Sequence, residues 1–195
     1  MEALMHGARR FTRWSLWFGG ALVLAAAVLI GIDVVLRKFL ALSIGGADEL
    51  AGYALAIGTA WSLGAALLDR GHIRIDSLYV LLPTRLRLAL DFLGLVLFVG
   101  FFGLIARHGW SVVQQSWTSG SRSQSALQTP TLIPQAIWLV GLAAFVAVGV
   151  VLFVYAARLA ARGEIAAVAA AIGTRSAQED VEAEVQSLKE RQAKE

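Results

Sequence analysis

The chain has 195 residues, 57% of them hydrophobic and only 16% charged, with a formal net charge of +3. A water-soluble domain of this length carries more charge and shorter apolar segments, so the composition excludes an ordinary soluble fold. Without cysteine there is no disulfide framework, thiolate nucleophile or sulfur metal site. The pI near 9.7 is compatible with nucleic-acid binding. The arginines flank apolar runs and form no stripe, however, so nucleic acid is not an expected partner.

Residues 1–13 read as a short basic leader containing Arg9, Arg10 and Arg13. The first apolar run, 14–36, predicts a helix from about Trp14 to Lys38, with Trp14 and Trp17 at the membrane interface. The run outlasts a signal-peptide core, which favours a retained anchor over a cleaved one. Near its far end Asp33 and Arg37 stand four apart, on one helix face, where they can pair. Gly45-Gly46 marks a tight turn, and Asp48 and Glu49 then open the second helix at its positive dipole end.

The second run, about 50–68, carries Ala47, Ala51, Ala54, Gly58, Ser62 and Ala65 at spacings of three or four. Such a stripe lets another helix backbone approach closely in lipid. Next comes an octet dense in charge, Asp69-Arg70-Gly71-His72-Ile73-Arg74-Ile75-Asp76. Asp76 is placed to cap a brief interfacial helix before Pro83, and Thr84 to cap the third membrane helix.

The third run, 92–106 and extending back towards Leu88, has Phe98, Phe101 and Phe102 facing lipid or a partner. Residues 108–132 read as the longest outer connection. Pro130 and Pro134 keep a regular helix from starting early. The fourth run is 136–157. The chain is thus expected to be an all-α integral membrane protein with a four-helix membrane domain over 14–162, followed by a charged, flexible tail over 163–195.

Arginine distribution sets the expected orientation. Arg9, Arg10 and Arg13, then Arg70, Arg74, Arg85 and Arg87, then Arg158 and Arg162 share one side. The other connections hold only Arg37 with Lys38, and Arg107 with Arg122. The positive-inside rule therefore predicts that both termini and the central loop are cytoplasmic.

Little in the chain suggests chemistry. Asp33 and Asp91 fall near helix ends, so no ionisable group is expected at the midplane, where a proton or ion path would need one. His72 and His108 fall on opposite sides, which does not suit haem, and no cofactor or metal is expected. His72 beside Asp69 and Asp76 leaves one alternative, a small membrane enzyme with a cytoplasmic site. An independent small transporter is the other.

The octet, with Arg70, Gly71, His72, Arg74 and Asp76, resembles the segment after the second helix in the small membrane subunit of tripartite ATP-independent periplasmic (TRAP) transporters, the DctQ-type small permease. Asp33 and Arg37 match that family's closure of the first helix, and Glu49 its acidic opening of the second. Ser125 to Pro130, then Ile133-Pro134 and Gly141, resemble its proline-containing approach to the last helix. Thr131 departs from the aliphatic or tryptophan residue usual after Pro130. The resemblance covers roughly residues 10–158. It implies a non-catalytic scaffold in the bacterial inner membrane, bound to a large permease that imports a carboxylate-bearing solute with sodium. A periplasmic solute-binding protein delivers that solute. It further implies that Asp33, Arg37 and Glu49 form a polar outer rim, and that the Gly58 face and the octet contact the large permease.

Overall fold

The computed structural model describes residues 1–71 and 82–173, together with Val185, Leu188, Lys189 and Gln192 of the tail. The elements are α1 (Glu2–Leu40), α2 (Ala47–Leu68), α3 (Thr84–Ser119), α4 (Leu132–Ala161) and α5 (Ile165–Ile172). No strand occurs among the described residues, only an isolated bridge between Arg122 and Pro130. Helices α1 to α4 are each long and apolar enough to cross a membrane.

Two helices outrun their apolar segments. α1 begins at Glu2, so the basic leader is helical and continuous with the first span. Its 39 residues measure about 58 Å at 1.5 Å per residue, against a hydrocarbon core of about 30 Å. The leader is rich in helix formers, and its single Gly7 is too weak a breaker to stop propagation. α3 likewise continues through Arg107 to Ser119 and ends at Gly120, whose φ of 60° terminates it. Residues 108–119 are polar but lack proline, so the expected outer connection shrinks to 120–131.

Other boundaries differ in detail. Pro83 occupies the N-cap position of α3, and Thr84 is the first helical residue with no capping hydrogen bond. The Pro83 carbonyl accepts from Leu86 N at 2.9 Å and Arg87 N at 3.1 Å. Pro134 lies inside the first turn of α4, where its missing N–H leaves no bond unmade. Beyond Arg162 the chain does not leave the membrane domain at once. α5 is an alanine-rich octet whose Val168 is fully buried, and Ile172 is nearly so. These two residues join the core formed with Met5, Leu152, Ala156 and Leu159. The expected tail is therefore packed as far as Ile172, because its first segment is apolar.

The helices stand in a curved row, in the order α1, α2, α4, α3. Each contact has a glycine at its closest approach. Between α1 and α2, Gly19 and Gly58 meet so closely that a Cβ on either would fall within 3.0 Å of the other's carbonyl oxygen. Thr12 and Ser15, both 3% exposed, lie on this packed face and return their hydroxyls to Arg9 O and Phe11 O of their own helix. That local bonding lets polar side chains lie inside a helix pair. Between α2 and α4, the Trp61 ring lies over Gly141, and its Nε1 donates to Ile137 O at 3.0 Å. The other flank of Trp61 meets Phe18, with ring centroids 5.2 Å apart.

Between α3 and α4, Val99 fills the space over Gly149 and Trp138 that over Gly109. Phe98 and Phe102 stack edge-on against buried Phe145, at 5.6 and 5.0 Å. Of Phe98, Phe101 and Phe102 only Phe101 is strongly exposed, which corrects the expectation that all three face outward. The row leaves large apolar side chains such as Leu24, Val28, Leu97 and Leu104 on the surface.

Candidate functional site

The two connections at one end of the row, 41–46 and 120–131, form the best organised polar structure among the described residues. It is called the loop end here, and the opposite end, where α1 and α3 begin and α2 and α4 finish, the terminal end. Asp33 is the organising group. Although it sits in α1, about two turns before the helix finishes, it is only 1% exposed. One carboxylate oxygen accepts from Ile44 N at 2.6 Å and from the Ser43 hydroxyl at 3.1 Å. The other pairs with Arg37, as the i, i+4 spacing predicts. Arg37 also reaches Asp48 at 3.7 Å. Asp33 thereby ties the end of α1 to the turn that leads into α2. The turn needs two left-handed residues, Ala41 at φ 52° and Gly46 at φ 97°.

Glu49 forms a second centre. It accepts a short hydrogen bond from the Ser125 hydroxyl, and the hydroxyls of Tyr53, Ser123 and Thr129 stand around the same carboxylate. Among the described residues, Glu49 Oε1 is buried without a hydrogen bond within normal geometry. The expected single cluster of Asp33, Arg37 and Glu49 is therefore two. Asp48 joins the first, and Glu49 captures the distant loop.

That loop is built to be captured. Ser123 N bonds to Thr129 O at 2.9 Å and Thr131 N to Ser121 O at 3.1 Å, which makes a narrow hairpin. The Ser125 hydroxyl also accepts from Leu127 N at 3.1 Å, and that of Ser123 from Thr129 N at 3.1 Å. Arg122 and Pro130 face each other at the base. Thr131 bonds through its hydroxyl to Ser121, a contact that an aliphatic residue there would lack. At the tip, Leu127 presses on Gly46, where a Cβ would lie 2.5 Å from Leu127 Cδ1, and Ala126 covers Gly45. The Ser125, Ser123 and Thr129 contacts to Glu49 were not foreseen. Their only sequence signal is the density of hydroxyl residues between Ser119 and Thr131.

At the terminal end only part of the octet is described. Asp69, Arg70 and Gly71 end α2: Arg70 N bonds to Leu67 O at 3.2 Å and Gly71 N to Ala66 O at 3.0 Å, with Arg70 left-handed at φ 55°. This is the Schellman pattern of a helix C-terminus, with arginine where glycine is usual. His72, Arg74 and Asp76, and the brief helix expected after them, lie outside the described residues. Gly58 faces α1 of the same chain, so its close approach is intramolecular. Beside that crossing, an open apolar groove of about 630 Å³ runs along both helices, floored by Gly19, Gly20, Ala27, Gly58 and Ala66, with Thr59 and Ser62 on its wall. Among the described residues no three His, Cys, Asp or Glu side chains gather as metal ligands would.

Four apolar helices of membrane-crossing length, joined by a hydrogen-bonded loop end, define a multi-pass α-helical membrane protein. Its family follows from residues 26–159, which match the model for tripartite ATP-independent periplasmic transporters, DctQ component. The chain belongs to that family, the small membrane component of TRAP transporters. The match starts within α1 and stops near the end of α4, so it includes the whole loop end. No curated protein and no solved structure matches the chain.

Proposed function

We propose that this chain braces the large permease of a TRAP system in the bacterial inner membrane, and that the large permease imports a carboxylate-bearing solute with sodium. The observation that carries the reading is the family match over 26–159, which covers the loop end, all of α2 and α3, nearly all of α4 and the later part of α1. In this reading the terminal end faces the cytoplasm, as the clustered arginines favour. The loop end then faces the periplasm and offers a rigid rim to a solute-binding protein.

The groove between α1 and α2 receives a helix of the large permease, because its floor of glycine and alanine lets a second backbone approach. The octet makes a further contact on the cytoplasmic side, with Asp76 organising its backbone, so Asp76→Ala lowers assembly more than His72→Ala.

Gly20 gives a clean test of the groove. It lines the groove, and a side chain added there meets nothing within 4 Å in the isolated chain. Gly20→Leu should therefore fold normally yet lose most of the large permease during affinity purification from solubilised membranes. Gly58→Leu should impair the fold itself, since Gly19 backbone occupies that space. Wild-type recovery of the permease by Gly20→Leu would exclude the groove, and a wild-type chain recovered with no permease would exclude the scaffold reading.

A further inference from the structure

At the terminal end a pocket of about 430 Å³ lies between the start of α1, the last turn of α4 and the link to α5. It is lined by the charged side chains of Arg158 in the last turn of α4, Arg162 at its C-cap, Glu2 and Glu164, with Met1 beside them and Tyr155 and Leu159 as the apolar wall. Arg158 and Arg162 are four residues apart on one helix face, directly after the apolar run of α4. None of these four side chains pairs with another: the ion pairs found among the described residues both belong to Arg37. An exposed pair would gain at most about 1 kcal/mol, so a ligand that satisfies both signs together competes easily with direct pairing.

The chemistry of the lining selects the ligand. Two guanidinium groups on one face present forked donors that suit the oxygens of a phosphate. Two carboxylates across the same pocket suit a primary ammonium, which has three N–H donors to give. A quaternary ammonium has no such donor, and an uncharged polyol leaves both carboxylates without a cation. Tyr155 is the kind of amphipathic side chain that settles at the level of lipid headgroups.

We propose that this pocket binds a zwitterionic phosphodiester of the phosphoethanolamine type, its phosphate on Arg158 and Arg162 and its ammonium on Glu2 and Glu164. The source is a phospholipid of the surrounding leaflet or a soluble phosphodiester with the same headgroup. Tyr155, Arg158 and Leu159 lie inside the segment that matches the family, and Glu2, Arg162 and Glu164 outside it.

The test uses the purified full-length chain in nanodiscs of phosphatidylethanolamine, phosphatidylglycerol or phosphatidylcholine, with retained lipid counted by native mass spectrometry after transfer to detergent. The wild type should retain phosphatidylethanolamine about tenfold better than either other lipid, a difference of about 1.4 kcal/mol. Arg158→Ala with Arg162→Ala should lose this retention, and the corresponding double lysine variant should recover part of it. Glu2→Gln with Glu164→Gln should still hold phosphate but retain phosphatidylethanolamine and phosphatidylglycerol equally. Soluble glycerophosphoethanolamine separates the sources: displacement of the retained lipid at micromolar concentration assigns the pocket to a soluble ligand, and resistance assigns it to lipid. Equal retention of all three lipids by the wild type would overturn the proposal. So would undiminished retention by the double alanine variant with normal helicity and a single gel-filtration peak.

Discussion

At the loop end, Asp33 is buried and engages Arg37, Ser43 and Ile44, while Glu49 holds a hairpin 76 residues further along the chain. At the terminal end, Arg158, Arg162, Glu2 and Glu164 share a pocket and stay apart. The physical difference lies in what each end must hold together. Two separate hairpin connections meet at the loop end, and neither has enough apolar surface to dock by burial alone. Their backbone groups need side-chain partners. The terminal end has an apolar alternative, since Met5, Leu159, Val168 and Ile172 close it by packing. The four charged side chains of its pocket make no ion pair with one another and are available to a ligand.

The comparison can be broken or sharpened by substitution. The largest effect is expected for Asp33→Ala, which strands the Ile44 N–H and the Arg37 guanidinium together and should cost about 2–3 kcal/mol. Thermal unfolding in detergent reads it, and Asp33→Asn, which keeps an acceptor for Ile44, should fall between that variant and the wild type. A wild-type melting curve for Asp33→Ala would remove the claim that this carboxylate braces the loop end. Gly46→Ala comes next, at about 1–2 kcal/mol, because it combines a left-handed backbone with a collision against Leu127. Glu49→Gln should cost about 1 kcal/mol and show chiefly as faster amide hydrogen exchange over 121–131, with exchange in α1 unchanged. The smallest effect belongs to the terminal end: Arg158→Ala with Arg162→Ala should alter stability by no more than about 0.5 kcal/mol in lipid-free detergent. A large loss there would mean that both ends depend on their charges for folding.

The spans were legible because bilayer crossing demands long apolar runs, and no packing detail is needed to see them. The limits of α1 and α3 were not, because a helix continues into polar sequence until something breaks it. Nothing between Glu2 and Trp14, or between Arg107 and Ser119, is a strong breaker. At the site, the Asp33–Arg37 pair followed from local spacing. The Glu49–Ser125 contact joins different hairpins, and only the folded arrangement of α2, α3 and α4 brings it about. The stripe on α2 marked a close helix approach correctly in kind, but spacing does not say which helix arrives. Gly19 of α1 fills the place at Gly58 that the partner subunit was expected to take.

The order α1, α2, α4, α3 has a mechanical meaning. A closed bundle turns its helices around one packed core, whereas a row is a panel, with two broad faces and two edges. A panel can lie flat against a larger body and touch it along several helices at once. Fastened across one end by Glu49 and Ser125, it resists shear between its two hairpins. A load applied by a moving neighbour would then spread over the whole width instead of prising one helix from the next.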